Sequence, residues 1–116
     1  MAQNQVEGLR LFLAEFEAVV NSGCEIICKP FFGGAAAYAD NRIFMTRTKV
    51  GLALKLPEST RQRLLNEGAT PLRYFPKGHI KKDYVLLPQH MLENKEAFSL
   101  LIGESMDFVL TFPHRG

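Results

Sequence analysis

The chain opens with apolar residues at Val6, Leu9, Leu13, Phe16 and Val20, spaced three or four apart. That spacing gathers them on one side of an amphipathic helix, with Glu7, Arg10 and Glu17 turned to water. Ser22-Gly23 ends the run, since glycine readily takes the left-handed cap conformation. From residue 24 the period falls to two. Residues 25–30 (EIICKP) read as a strand in which Pro30 marks an edge or an end. Gly33-Gly34 permits a sharp reversal, and Asp40-Asn41 lies between Ala37-Tyr38-Ala39 and Arg42-Ile43-Phe44-Met45 as a tight hairpin turn. Further on, Phe44, Thr46 and Thr48 alternate with Arg47 and Lys49, and Leu52, Leu54 and Leu56 point together opposite Lys55. The pattern predicts a sheet with one greasy face and one basic face.

Helical spacing returns over 57–66. Ser59 and Gln62 there match a capping box, Leu64 and Leu65 supply the buried side, and Gly68 suits the exit. Two more strands are expected around 72–75 and 82–87, joined through Pro76-Lys77-Gly78-His79, with Pro88 breaking the second. A last helix starts near Asn94, a good N-cap, and runs toward Phe112. Its stripe is Phe98, Leu101, Ile102, Phe108, Val109 and Phe112, with Ser105 completing the spacing. The order is helix, three strands, helix, two strands, helix. Helices so separated by antiparallel strands cover one face of one sheet, so 1–116 is expected to be a single α+β domain.

Composition narrows the class. A hydrophobic share of 47% in 116 residues is that of an ordinary globular domain. No repeat or low-complexity tract interrupts it. The opening MAQNQVEG lacks a basic stretch followed by an apolar one, and no apolar run nears the roughly 20 residues that cross a bilayer. A cytoplasmic protein that does not engage a membrane is the expectation. Cys24 and Cys28, four apart on a strand, would stand ~13 Å apart, too far to bridge. His79, His90 and His114 show no ligand spacing around them, so packed free thiols and no metal are expected.

Charge adds a further contrast. Residues 41–82 hold ten Lys or Arg against Glu58 and Glu67, a net of +8, while the rest of the chain carries −6, giving the overall +2. A basic middle between acidic ends can fold into two faces of opposite sign, or into solvated side chains that partly cancel. Catalytic signals are sparse. Ser22, Ser59, Ser99 and Ser105 lack a nucleophile-elbow context, and Gly33-Gly34 lacks the spacing of a phosphate-binding loop. A non-enzymatic role without a cofactor is expected. Arg73, Tyr74, Phe75, Lys77, Lys81 and Lys82 interleave bases with aromatics, which suits phosphate neutralisation and base stacking and keeps nucleic acid open as a ligand.

The stretch FFGGAAAYADNRIFM resembles the entry of the TfoX (Sxy) N-terminal domain family, through Phe32, Gly33, Gly34, Tyr38, Arg42 and Phe44. The likeness continues through Leu54, Lys55 and Gly68, then Pro71, Tyr74, Lys77 and Gly78, and then Tyr84, Pro88 and Leu92. Ala36 and Asn41 stand where glycines would be expected. The resemblance implies a two-layer α/β sandwich of order α-β-β-β-α-β-β-α, similar to that of secretion chaperones. It also implies regulation of natural competence together with the cyclic-AMP receptor protein, and it brings no catalytic residues. Full-length regulators of this type carry a second, helical C-terminal domain that this chain lacks, so a stand-alone N-terminal domain is the expectation.

The leading expectation is a regulatory module that binds a protein of the transcription machinery, RNA polymerase or the cyclic-AMP receptor protein. Arg47, Lys49, Lys55, Arg73, Lys77, Lys81 and Lys82 would form its polar binding face. Direct nucleic-acid binding through the same residues is the alternative. A small-ligand protein or enzyme is a third reading, and it requires a pocket beside Gly33-Gly34 and Tyr38. Phe31, Phe32 and the run 35–39 are apolar enough either for two exposed strand edges to pair as a homodimer or for the edge to be buried within the monomer.

Overall fold

The computed structural model describes residues 2–16, 23–73 and 78–112. Helix α1 (Ala2–Ala14) is followed by strands β1 (Ile26–Phe31), β2 (Gly34–Ala39), β3 (Arg42–Thr48) and β4 (Gly51–Lys55). Helix α2 (Glu58–Asn66), strands β5 (Thr70–Pro71) and β6 (Tyr84–Leu87), and helices α3 (Gln89–Glu93) and α4 (Lys95–Leu110) complete the order. The six strands form one antiparallel sheet in the order β1-β2-β3-β4-β6-β5. The α+β class read from the sequence holds, with one strand more than expected ahead of α2 and one short helix more ahead of α4. Strand β2, the first arm of the hairpin read at Asp40-Asn41, has a GAAAYA sequence of little intrinsic strand preference and owes its conformation to ladders on both sides. Its alanines serve packing: Ala35, Ala37 and Ala39 are buried in the main core, where small side chains let α1 lie close to the sheet.

Two-residue turns set the register of the first hairpins. Phe32-Gly33 joins β1 to β2, and Asp40-Asn41 joins β2 to β3. All four turn residues have positive φ, as a hairpin turn of matching twist requires. Antiparallel alternation then turns Pro30 of β1 outward, away from β2, so its missing N–H removes no ladder bond. That makes β1 the edge strand that Pro30 suggested.

The register also decides which residues share a face, and here the two-face expectation needs correction. Arg47 lies opposite Ala35 and Leu52, on the side covered by the helices, and its guanidinium sits 5.4 Å from the ring centre of Phe12 in α1. Thr46 lies between Ala36 and Ala53 on the second face. The strict alternation assumed for β3 is broken by a bulge. Ala37 pairs with Met45 but Tyr38 pairs with Ile43, which leaves Phe44 as the extra residue. The bulge allows adjacent Phe44 and Met45 to enter the same core. Leu52, Leu54 and Leu56 do share the helix side, as expected.

Helices α1, α2 and α4 bury Val6, Leu9, Leu13, Leu64, Phe98, Ile102 and Val109 against that side. Phe12, Phe16 and Phe98 form an aromatic triad with ring centres 5.3 to 5.8 Å apart, joining α1 to α4. Ser105, on the buried stripe of α4, places its hydroxyl 2.7 Å from the Lys55 carbonyl and 3.0 Å from that of Phe44. Its one proton ties the helix to the bulge and to the end of β4. The second face has a smaller core, in which Leu72 packs with Ala53 beside Phe31, Val50, Tyr84 and Leu86.

Several boundaries differ from the sequence reading. Helix α1 closes at Ala14, with turn bonds from Glu15 and Phe16 back to Phe12 and Leu13, while Val20 and Ser22 lie outside the described residues. Asn94 caps α4 as expected, accepting a 3.2 Å bond from the Ala97 amide. Ser59 is no cap: the N-cap position of α2 is Pro57, whose side chain carries no hydrogen-bond acceptor, and Ser59 is exposed within the helix. The strand expected at 72–75 is instead the two-residue β5 ahead of it, because Leu72 turns into the second-face core; 74–77 lie outside the described residues.

Candidate functional site

Antiparallel pairing brings the first residue of β3, Arg42, and the last of β4, Lys55, to one end of the sheet. The C-terminal end of α4 reaches the same place. Together they enclose a cavity of about 480 Å³ lined by Tyr38, Arg42, Ile43, Lys55, Val109 and Phe112, with Asn41 and Asp83 beside them. Arg42 is held from two directions: Nε donates to the Phe112 carbonyl at 2.8 Å and Nη1 to that of Asp40 at 3.0 Å. The first bond puts a cation at a helix C-terminus, where the macrodipole favours it. The Lys55 ammonium stands 4.8 Å from the Phe112 ring centre and 5.6 Å from that of Tyr84, within cation–π range of both. Asp83 is bridged by Arg61 at 3.3 Å, so a neighbouring cation already matches its charge.

The other residues expected to form a polar face are spread more widely. Arg73, Lys81 and Lys82 are exposed on the connection between β5 and β6. Leu72 anchors that connection to the second face of the sheet, and the Lys81 amide donates to the Leu72 carbonyl at 2.8 Å. Lys29, which the sequence reading passed over, is exposed on the same face, 5.0 Å from the Tyr38 ring centre. Lys49 occupies the β3–β4 turn at the opposite end of the sheet from Lys55, and Arg47 lies on the helix side. Lys77 and Tyr74 are outside the described residues. The second face and its connection thus bring together Lys55, Arg73, Lys81 and Lys82, and leave out Arg47 and Lys49.

A second cavity, about 470 Å³, lies between α2 and α4, with Leu64, Met91, Ala97 and Leu101 below and Arg63, Glu67, His90 and Glu104 around it. Thr60 of α2 donates to the Glu104 carboxylate there and ties the two helices together. The two glycines of the family-like entry sit in different backbone settings. Gly33 takes φ +77° in its turn, whereas Gly34 is a paired strand residue pressed against the β3 backbone. Neither of the two cavities is lined by that pair; Tyr38, at the other end of β2, lines the sheet-end cavity. Gly68 takes φ +117° after α2, and Pro88 holds the N-cap position of α3.

Cys24 and Cys28 are free thiols, and burial pushes both above the ordinary thiol range. For Cys24 the nearby Asp40 carboxylate adds to the shift; for Cys28, Arg10 opposes it. Among the described residues no three His, Cys, Asp or Glu side chains converge to hold a metal ion. No described helix is long and apolar enough to cross a membrane. The sheet-end cavity was hidden in the sequence because its residues come from four separate segments; Tyr38, Asn41, Arg42 and Ile43 fall within one motif, but Lys55, Asp83 and the Val109–Phe112 end lie far from it in the chain.

No curated protein matches the chain. The family model of the TfoX N-terminal domain matches residues 20–109, and with that span of 116 residues the chain belongs to the TfoX N-terminal domain family.

Proposed function

We propose that this chain is a non-catalytic regulatory domain that binds a protein of the transcription machinery through the basic side of its sheet. Family membership over residues 20–109 is the observation that carries the reading. Surface electrostatics support it. Arg73, Lys81 and Lys82 are exposed together on the connection that crosses the second face, while α4 bears Glu96, Glu104 and Asp107 on the helical side. A surface divided in this way favours one docking orientation and speeds encounter with an acidic partner. The candidate partners are RNA polymerase and the cyclic-AMP receptor protein. The cytoplasm is where such a partner would be met.

The test is retention of proteins from a bacterial lysate by the tagged chain, before and after nuclease treatment. RNA polymerase or the cyclic-AMP receptor protein should remain bound after nuclease. Arg73→Glu, Lys81→Glu and Lys82→Glu combined should reduce retention roughly tenfold or more without changing the thermal midpoint by more than a few degrees. Unchanged retention would remove this surface from the reading. Capture of nuclease-sensitive material alone would make the same residues a nucleic-acid surface, with affinity that falls steeply as salt rises.

A further inference from the structure

The geometry points to a second site on this domain: the cavity at the end of the sheet binds a small organic anion, with one phosphate or carboxylate group joined to a flat apolar body. The cavity's 480 Å³ lies in the size range of ligand pockets. Its two halves differ in chemistry. Arg42 and Lys55 supply positive charge from adjacent strands, while Ile43, Val109 and the rings of Tyr38 and Phe112 supply apolar walls.

The charge balance favours an anion. Among the described lining residues Asp83 is the one carboxylate, and it is engaged by Arg61. The guanidinium of Arg42 is fixed by its bonds to the carbonyls of Phe112 and Asp40, so little freedom is lost when it meets a ligand. Lys55 sits against Phe112 and Tyr84, which position its ammonium beside the cavity instead of out in solvent. A neutral ring entering the cavity would strip water from these cations without replacing it. A bare inorganic anion would leave the apolar walls wet. An aryl phosphate or an aromatic carboxylate satisfies both halves at once.

The test is a two-dimensional amide NMR titration of the full chain with phenyl phosphate and benzoate, which carry the two head groups. Inorganic phosphate and benzyl alcohol serve as the separate halves. One of the aromatic anions should give saturable shifts at Tyr38, Asn41, Ile43, Lys55 and Asp83, and should bind roughly tenfold or more tightly than either half alone. Lys55→Met, which keeps an unbranched chain against the rings, should weaken that anion by about tenfold and leave benzyl alcohol unchanged. Shifts no stronger than those from inorganic phosphate, or shifts scattered over Arg73, Lys81 and Lys82, would overturn the assignment, as would no saturation at millimolar probe. Should Lys55→Met fail to fold, the comparison of probes on the unaltered chain decides the question alone.

Discussion

Gly33 and Gly34 are neighbours in the chain with different duties. Gly33 holds φ +77°, and a Cβ added there meets nothing within 4 Å, so its requirement is purely conformational. Gly34 needs no unusual φ, but a Cβ would fall 2.1 Å from the Arg47 carbonyl oxygen and 2.8 Å from the Thr48 Cα. Both obstacles are backbone of the next strand and cannot swing aside. Gly33→Ala should therefore lower stability by only about 1 kcal/mol, the penalty of one left-handed residue. Gly34→Ala should lower it by about 3 kcal/mol or more by forcing β2 and β3 apart. Urea titration of the two variants checks the ranking, and an equal effect would contradict this division of roles. The sequence could not separate them, because the close approach to β3 depends on a register that the GG pair does not encode.

The helix caps and hairpin turns show which elements were legible. Asn94 was readable as a cap because its side chain acts on an amide three residues away, a local relationship. Asn94→Ala should lower stability by about 1 kcal/mol and raise amide exchange in the first turn of α4, measurable by NMR. Asp40-Asn41 was legible for the same reason, since a two-residue turn needs only its own backbone to reverse. The elements that were missed depend on distant partners. The Phe44 bulge appears only when β2 and β3 are aligned. Ser59 satisfied a capping pattern, yet Pro57 starts α2 two residues earlier. Arg47 does lie on the opposite face from Thr46, as alternation requires, but which face is covered is decided by the helices. Arg47 consequently lies on the helix side beside Phe12 of α1, exposed but away from the second face.

At the scale of the whole molecule, the helical layer is divided between two halves of the sheet. Helix α1 packs on β1 and β2, while α4 packs mainly on β3 and β4. The halves meet through the β2–β3 ladder and through Phe98, whose fully buried ring contacts both Phe12 and Phe16. Removing that ring should cost about 3–5 kcal/mol, a large part of the roughly 5–15 kcal/mol that holds a domain of this size together. The loss should also be uneven. Strands β3 and β4 keep neighbours on both sides and the Ser105 tie to α4, whereas α1 loses its main aromatic contact with the rest of the helical layer. Hydrogen exchange of Phe98→Ala, compared with the unaltered chain, should thus show protection falling furthest in α1 and β1 and least in β3 and β4. An equal fall in every element would mean that the β2–β3 ladder alone couples the halves, and that the triad contributes burial without joining them. The distinction bears on function, because the anion cavity lies at the end of the α4 half. A ligand held by Arg42, Lys55 and Phe112 would then stabilise β3, β4 and α4 directly, and reach α1 through Phe98 and the β2–β3 ladder.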